Sequence, residues 1–192
     1  LAGIIANSDR MKTVYETDAH ESLDKIHEDI IVIGNKYSYS VDEIEKYIAE
    51  RIVIGLANTR NRWDFDYKKY HIVNGCELSD EQLEIVKNIC KYNVCILNGA
   101  GGTGKSFSTQ AVINMLKENN KSFRLFSPTG KAAKVLSDYT KEQATTIHRG
   151  LGYMPPNTWT YNEEHKLDCD ALIIDEFSMT DIFLFKRILD AV

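Results

Sequence analysis

The sequence predicts an α/β fold in which helices flank a parallel sheet. Three observations lead there. The run Gly99-Ala100-Gly101-Gly102-Thr103-Gly104-Lys105-Ser106 matches the spacing G-x-x-x-x-G-K-[ST], set between an apolar run and a helical pattern. Further along, the apolar run Ala171-Leu172-Ile173-Ile174 closes on Asp175-Glu176. Between the two, short apolar runs alternate with amphipathic ones, as in strand–helix–strand units.

The glycine-rich run calls for these residue types. Glycine tolerates positive φ and lets the backbone approach an anion, so several N–H groups can turn toward β- and γ-phosphates. Lys105 can reach the β/γ oxygens, and the Ser106 hydroxyl suits Mg²⁺. A following helix adds the positive end of its dipole. The preceding run, residues 94–97 (Val-Cys-Ile-Leu), is predicted to be a buried parallel strand. Residues 107–118, carrying Val112, Ile113 and Leu116, are predicted to be a helix. An apolar run closed by Asp-Glu is common by itself and gains its meaning from the loop before it. Asp175 would then hold Mg²⁺ through water, and Glu176 would orient and activate an attacking water.

The bulk numbers are compatible with this reading. A chain of 192 residues with 43% hydrophobic and 27% charged residues suits one ordinary globular domain plus a small appendage. No apolar run approaches the length that spans a bilayer, which excludes a helical membrane protein as far as the sequence goes. Cys76, Cys90, Cys95 and Cys169 lack the paired C-x-x-C spacing of a zinc site and read as reduced thiols of a cytoplasmic protein. The net charge of −5 is uneven: residues 121–149 hold six basic side chains against two acidic ones. Such a patch can hold a phosphate backbone, although a solvated helix face would carry the same charges.

Taken in order, residues 1–19 are weakly patterned, and an opening on Leu1 rather than Met predicts that an N-terminal part is missing. Residues 20–29 suit a short helix. Residues 30–33 and 36–39 read as a hairpin around Gly34-Asn35. Ser40-Val41-Asp42-Glu43 has capping-box spacing and opens a helix ending near Gly55 or Leu56. Residues 1–57 thus predict a small winged-helix-like unit, and residues 58–77 a connector. There Trp63, Phe65 and Tyr67 alternate with acids, which predicts an extended arm packed on the next domain. Residues 78–192 form the nucleotide-binding domain. Ser79 to Gln82 repeats the capping-box spacing, and Gln82 has two possible tasks: reaching back to the Ser79 N–H, or reading an adenine edge. Residues 122–126 predict a second strand. Pro128-Thr129-Gly130-Lys131 then leads into a helix whose N-terminus is either an anion site or a plain turn. Residues 143–153, with Thr146 and His148, read as a loop, and residues 154–168 as a surface excursion or hairpin. Residues 181–192 predict a last helix.

Together, Gly99–Ser106, residues 127–133, residues 144–148 and residues 173–179 resemble motifs I, Ia, Ib and II of superfamily 1 DNA helicases of the RecD-like group. The resemblance covers residues 78–192 and implies a P-loop NTPase, RecA-like sheet using ATP and Mg²⁺. It implies ATP-driven movement on single-stranded DNA, usually 5′ to 3′, with Lys105 and Ser106 on phosphate and Mg²⁺. Asp175 and Glu176 would be the magnesium and water-activating carboxylates. It further implies an adenine contact for Gln82 and contacts to the strand backbone from Pro128, Thr129, Gly130, Lys131, Thr146 and His148. Helicases of this group also need a second RecA-like domain with an arginine finger, which lies outside these 192 residues. An arginine of that kind is worth about 10³–10⁵ in rate, so this stretch is expected to bind Mg-ATP, hydrolyse it poorly and not unwind. The alternative is a nucleotide-dependent binding module or switch without translocation. A GTPase reading lacks both the N-K-x-D signature and D-x-x-G.

Overall fold

The computed structural model describes residues 30–33, 36–57, 63–99 and 103–192. By its contacts the chain divides into two units, residues 1–47 and 48–192. In the first, β1 (Ile30–Ile33) pairs antiparallel with β2 (Lys36–Tyr39), from Ile30↔Tyr39 to Ile33↔Lys36, as the hairpin pattern predicts. The helix expected over 20–29 and the turn Gly34-Asn35 lie outside the described residues. β2 runs directly into α1 (Ser40–Ala57), close to its predicted end.

The second unit is built on a three-stranded parallel sheet in the order β6-β5-β9, with β5 (Phe123–Ser127) in the centre. β5 pairs with β6 (Ala144–Thr146) from Leu125↔Ala144 to Ser127↔Thr146, and with β9 (Ala171–Ile174) from Phe123↔Ala171 to Phe126↔Ile174. Strand alternation sends successive side chains to opposite faces, and each face is covered. On one, Leu125 packs with Ile113 of α3 (Lys105–Glu118) and Leu136 of α4 (Gly130–Thr140). On the other, Phe126 packs with Ile147 of α5 (Ile147–Gly150) and with Leu184 and Ile188 of α6 (Ile182–Ala191). Ile113, Leu125, Leu136 and Ile147 are essentially inaccessible to solvent, and each side chain of this size contributes about 1.5–3 kcal/mol when fully buried.

α2 (Asp80–Lys91) lies against α3 through Val86, and the aromatic arm joins this layer. Trp63, Phe65 and Tyr67 pack on the same cluster, and the Trp63 N–H donates to Cys90 O at 3.1 Å. The predicted packing of these aromatics is therefore seen, but the arm is not an extended strand. Residues 63–66 are irregular, and Tyr67–Tyr70 forms a 3₁₀ turn. A two-residue hairpin follows, β3 (Ile72–Val73) with β4 (Cys76–Glu77), around Asn74 (φ 50°) and Gly75 (φ 80°). Asn-Gly with both φ positive suits the primed turn such hairpins favour.

Two further expectations are corrected. Residues 94–97 form no strand: they pair with nothing in the sheet, and Ile96 is 77% exposed. A short apolar run is compatible with a buried strand but cannot specify a partner, because pairing and coverage come from the rest of the fold. Residues 143–153 are not a loop, since they hold β6, α5 and the start of β7 (Tyr153–Met154). β7 pairs with β8 (Thr158–Trp159), the hairpin expected in this excursion.

Two contacts make the fold testable. Gly150 sits where a Cβ would run into the buried Phe126 ring. Gly150→Ala is expected to destabilise the chain by about 1–3 kcal/mol, read as a lower urea midpoint at unchanged m-value. At the start of β9, Asp170 accepts from Ser122 Oγ (2.8 Å), Ser122 N (2.9 Å) and Lys121 Nζ (3.1 Å). The Ser122 hydroxyl first, then its N–H and the lysine, hold the Asp170 carboxyl below its ordinary range. The folded state thus prefers the ionised form. That contribution is present above the unfolded value of about 3.9 and fades as pH falls through the lower folded value. Asp170→Asn should flatten the acid limb of a stability–pH curve below pH of about 4 while leaving its neutral slope alone.

Candidate nucleotide site at the sheet edge

Because β5, β6 and β9 are parallel, their C-terminal ends share one edge, the usual place for a site on such sheets. The loop feeding α3 closes against α2. Gly104, at φ 78°, precedes α3 as its N-cap residue. Lys105 folds back across the loop, its Nζ donating to Gly99 O at 2.5 Å. A Cβ on Gly99 would stand 2.7 Å from Thr103 Oγ1, so a side chain there would displace the threonine hydroxyl. Ala100, Gly101 and Gly102 lie outside the described residues.

Gln82 performs the first of its two possible tasks and a third besides. Its N–H donates to Ser79 Oγ (3.3 Å), and its Oε1 accepts from the Ser79 N–H (2.9 Å), a complete capping box. Its Nε2 donates to Thr103 O (3.0 Å) and lies 3.5 Å from Gly104 O. The predicted site residue is thus at the loop, in contact with its backbone.

Asp175 directly follows β9, and its N–H donates to Phe126 O at 3.0 Å. Its Oδ1 accepts from the Glu176 N–H at 3.0 Å. Glu176 is exposed and takes the left-handed conformation, φ 55° and ψ 37°. A non-glycine residue there carries strain of order 1–3 kcal/mol, which functional sites often hold.

A residue the sequence did not point to ties these parts together. Tyr139, on the last turn of α4, is half-buried, and its phenol feels the Thr109 and Ser106 hydroxyls and the field of the Asp175 carboxylate. Burial, and then that negative charge, push its phenol up to about 12. Ser106 and Asp175, far apart in the chain, thus both act on one phenol. Only knowledge of how α4 packs could have singled out Tyr139; no local pattern marks it.

The oxygen donors here suit a hydrated dication. Ser127, one residue beyond the Phe126↔Ile174 pair, stands across from Asp175, and its Oγ is buried without a hydrogen-bond partner among protein atoms. Ser108 Oγ on α3 is orphaned in the same way. Among the described residues no group of three or more His, Cys, Asp or Glu side chains is placed to hold a metal. Mg²⁺ held by one hydroxyl and one carboxylate, with phosphate and water completing its shell, would be in ordinary company.

Along the same edge, the Ser127↔Thr146 pairing brings together the remaining predicted residues. Thr129 and Thr146 are N-caps: Thr129 Oγ1 accepts from the Ala132 N–H and Thr146 Oγ1 from the Arg149 N–H, each at 3.2 Å. Pro128 is half-buried, whereas Gly130 and Lys131 are exposed. His148 is exposed and packs on Tyr153 (5.5 Å between ring centroids) and Trp159 (5.6 Å), tying α5 to the β7–β8 hairpin.

Comparison with known proteins agrees with this arrangement. Residues 82–192, more than half the chain, match the AAA domain family. The chain is 37% identical over 115 residues to the ATP-dependent RecD2 DNA helicase of Deinococcus radiodurans, covering 60% of this chain and 16% of that protein. It is 27% identical over 175 residues to the RecBCD enzyme subunit RecD of Haemophilus influenzae, covering 73% and 27%. It is 35% identical over 112 residues to the ATP-dependent DNA helicase dda of Enterobacteria phage T4, covering 53% and 25%. The chain thus spans well under a third of the length of these relatives. The chain belongs to the AAA domain family, and its phosphate-loop half is of the RecD-like, superfamily 1 kind.

Proposed function

We propose that residues 78–192 are the ATP-binding part of the motor of an ATP-dependent DNA helicase that moves on single-stranded DNA, 5′ to 3′. The observation that carries this reading is the parallel pairing of β5 and β9, which sets Asp175 beside the strand end bearing the buried, unpartnered Ser127 hydroxyl, on the sheet that α3 covers. It puts the carboxylate strand and the helix of the phosphate loop on one sheet. Lys105 would leave Gly99 O for the β/γ-phosphate oxygens, and loop N–H groups would line the triphosphate. Ser106 and Asp175 would hold Mg²⁺, which when bound draws charge from the phosphates. Glu176, exposed beside Asp175, would orient and deprotonate the attacking water.

The single strand would lie across the neighbouring strand ends. Since the Thr129 and Thr146 hydroxyls serve as caps, contact would come from the Gly130 and Lys131 N–H groups, the Lys131 ammonium and His148. Backbone contacts of this kind position a strand without reading its sequence. Strand separation would belong to the whole motor, and these 192 residues alone would turn ATP over slowly. Four free cysteines fit a reducing cytoplasm, and no helix among the described residues is long and apolar enough to cross a membrane.

Binding and turnover separate the roles. In a fluorescence titration with Mg-ATP, Lys105→Ala is expected to weaken binding about 10- to 100-fold, the loss of a charged hydrogen-bonding group. Glu176→Gln should bind as tightly as the parent yet lose about 10²-fold or more of its residual hydrolysis. Unchanged hydrolysis would remove Glu176 from the base role. Lys131→Ala should weaken binding of oligo(dT) and lower its salt dependence by about one unit of slope. If single-stranded DNA binds neither parent nor variant, a nucleotide switch acting on a protein partner becomes the better reading.

A further inference from the structure

α2 and α3 run side by side in the same direction. Cys90 Sγ lies 3.5 Å from Met115 Sδ, and one turn earlier the buried Val86 packs with the buried Ala111 and Val112. A turn earlier again the seam between the helices ends on Gln82 and Phe107, because side chains four positions apart share a helix face. There its filling changes from aliphatic side chains to a carboxamide and an aromatic ring.

Both groups close on Gly104. A Cβ on Gly104 would run into the Gln82 amide nitrogen and would lie 3.8 Å from Phe107 Cδ2, so amide and ring are neighbours around one point. The Phe107 N–H also donates to Gly104 O at 2.9 Å. Side chains on a first turn lean toward the helix start, which carries the ring back toward the residue that precedes α3.

Burial does not account for this phenylalanine. Phe107 is 39% exposed, whereas Ala111, Val112, Ile113, Met115 and Leu116 of the same helix are buried. It belongs to none of the three hydrophobic clusters, and among the described residues no ring stacks on it. A scattered exposed apolar side chain is ordinary on any surface. This one stands where the helix after the phosphate loop begins, beside a planar amide with hydrogen-bonding capacity to spare. Gln82 Oε1 keeps a lone pair beyond the one that the Ser79 N–H uses, and Nε2 at 3.5 Å from Gly104 O is outside the usual hydrogen-bond range. A heterocyclic base offers the matching pair of surfaces: a π face for the ring, and an edge of donors and acceptors for the amide.

We propose that Phe107 is the stacking platform for the base of the bound nucleotide. The proposal rests on the reading of the loop before α3 as a triphosphate site. It divides the affinity for a nucleotide between two chemistries, with Lys105 and its loop on the phosphates and the Phe107 ring on the base.

The test titrates ATP and inorganic tripolyphosphate, each with Mg²⁺, against the 192-residue chain. Phe107→Ala is expected to weaken ATP binding about 5- to 100-fold, the worth of one stacked base, and to leave tripolyphosphate binding unchanged. Phe107→Leu keeps apolar bulk without a ring face and should fall with the alanine variant. Phe107→Trp should bind ATP as the parent does, and the emission it adds should be quenched by ATP and not by tripolyphosphate. Equal losses for the two ligands would make Phe107 part of the loop's shape, and no loss for either would make it a bystander; both outcomes overturn the proposal. Parental ATP binding by Phe107→Leu also overturns it. In each of these cases tripolyphosphate binding by the parent keeps the phosphate-site reading intact. A parent chain that binds neither ligand overturns that reading and the proposal with it.

Discussion

The pairing of β5 with β9 is the constraint on which the rest of the second unit depends. Four consecutive parallel pairs, Phe123↔Ala171 to Phe126↔Ile174, join segments nearly fifty residues apart. Parallel pairing requires a crossover with cover on both faces, and here the intervening chain supplies it through α4 on one side and α5 with its hairpin on the other. The register also sends Leu125 and Ile173 toward α3 and Phe126 and Ile174 toward α6. A slip of one residue would exchange the two sets and leave each face with the wrong side chains.

That register is guarded from outside the core. Asp170 closes the open end of the ladder on Ser122, with Ala171 N–H and Asp170 N–H both donating to Ser122 O. At the far end of the unit, Lys166 Nζ donates to Asp190 O, and Asp190, 3% exposed, takes the Lys186 ammonium at 2.8 Å. The Arg51 guanidinium donates to Leu189 O at 3.0 Å, occupying a terminal carbonyl of α6 where cations are favoured. These polar ties sit where helices and strands end and backbone groups would otherwise lack partners. They hold in place elements whose burial supplies the larger share of stability.

The site is a consequence of the same geometry. With β5 and β9 fixed, Ser127 and Asp175 project from adjacent strand ends. α3, packed on the sheet through Ile113, carries Ser106 on its first turn. The polar groups there are preorganised by caps and backbone: Ser79 and Gln82 at one helix start, Thr129 and Thr146 at two others. Caps of this kind spend a side chain on local order, so hydroxyls that a motif would hand to a ligand are already engaged. What a phosphate-bearing ligand meets at such places is mainly N–H groups and the lysines beside them.

Local sequence determined the elements whose signals are local. The phosphate loop, α3, the strand ending in Asp175-Glu176 and the cap at Ser79 all follow from glycine, period and capping chemistry within about ten residues. The Asn74-Gly75 hairpin lies within the stretch predicted only as a connector, because its two flanking strands are just two residues long. Tertiary structure alone decided the rest. It left residues 94–97 outside the sheet, because an apolar run carries no information about which edge will pair with it. It gave the fifth residue of the phosphate loop a partner in Gln82, 21 positions earlier in the chain. It also put the half-buried Tyr139 phenol within the field of Asp175, through the packing of α4 on the sheet, since contacts between distant segments depend on how whole faces fit together and not on any pattern within one of them.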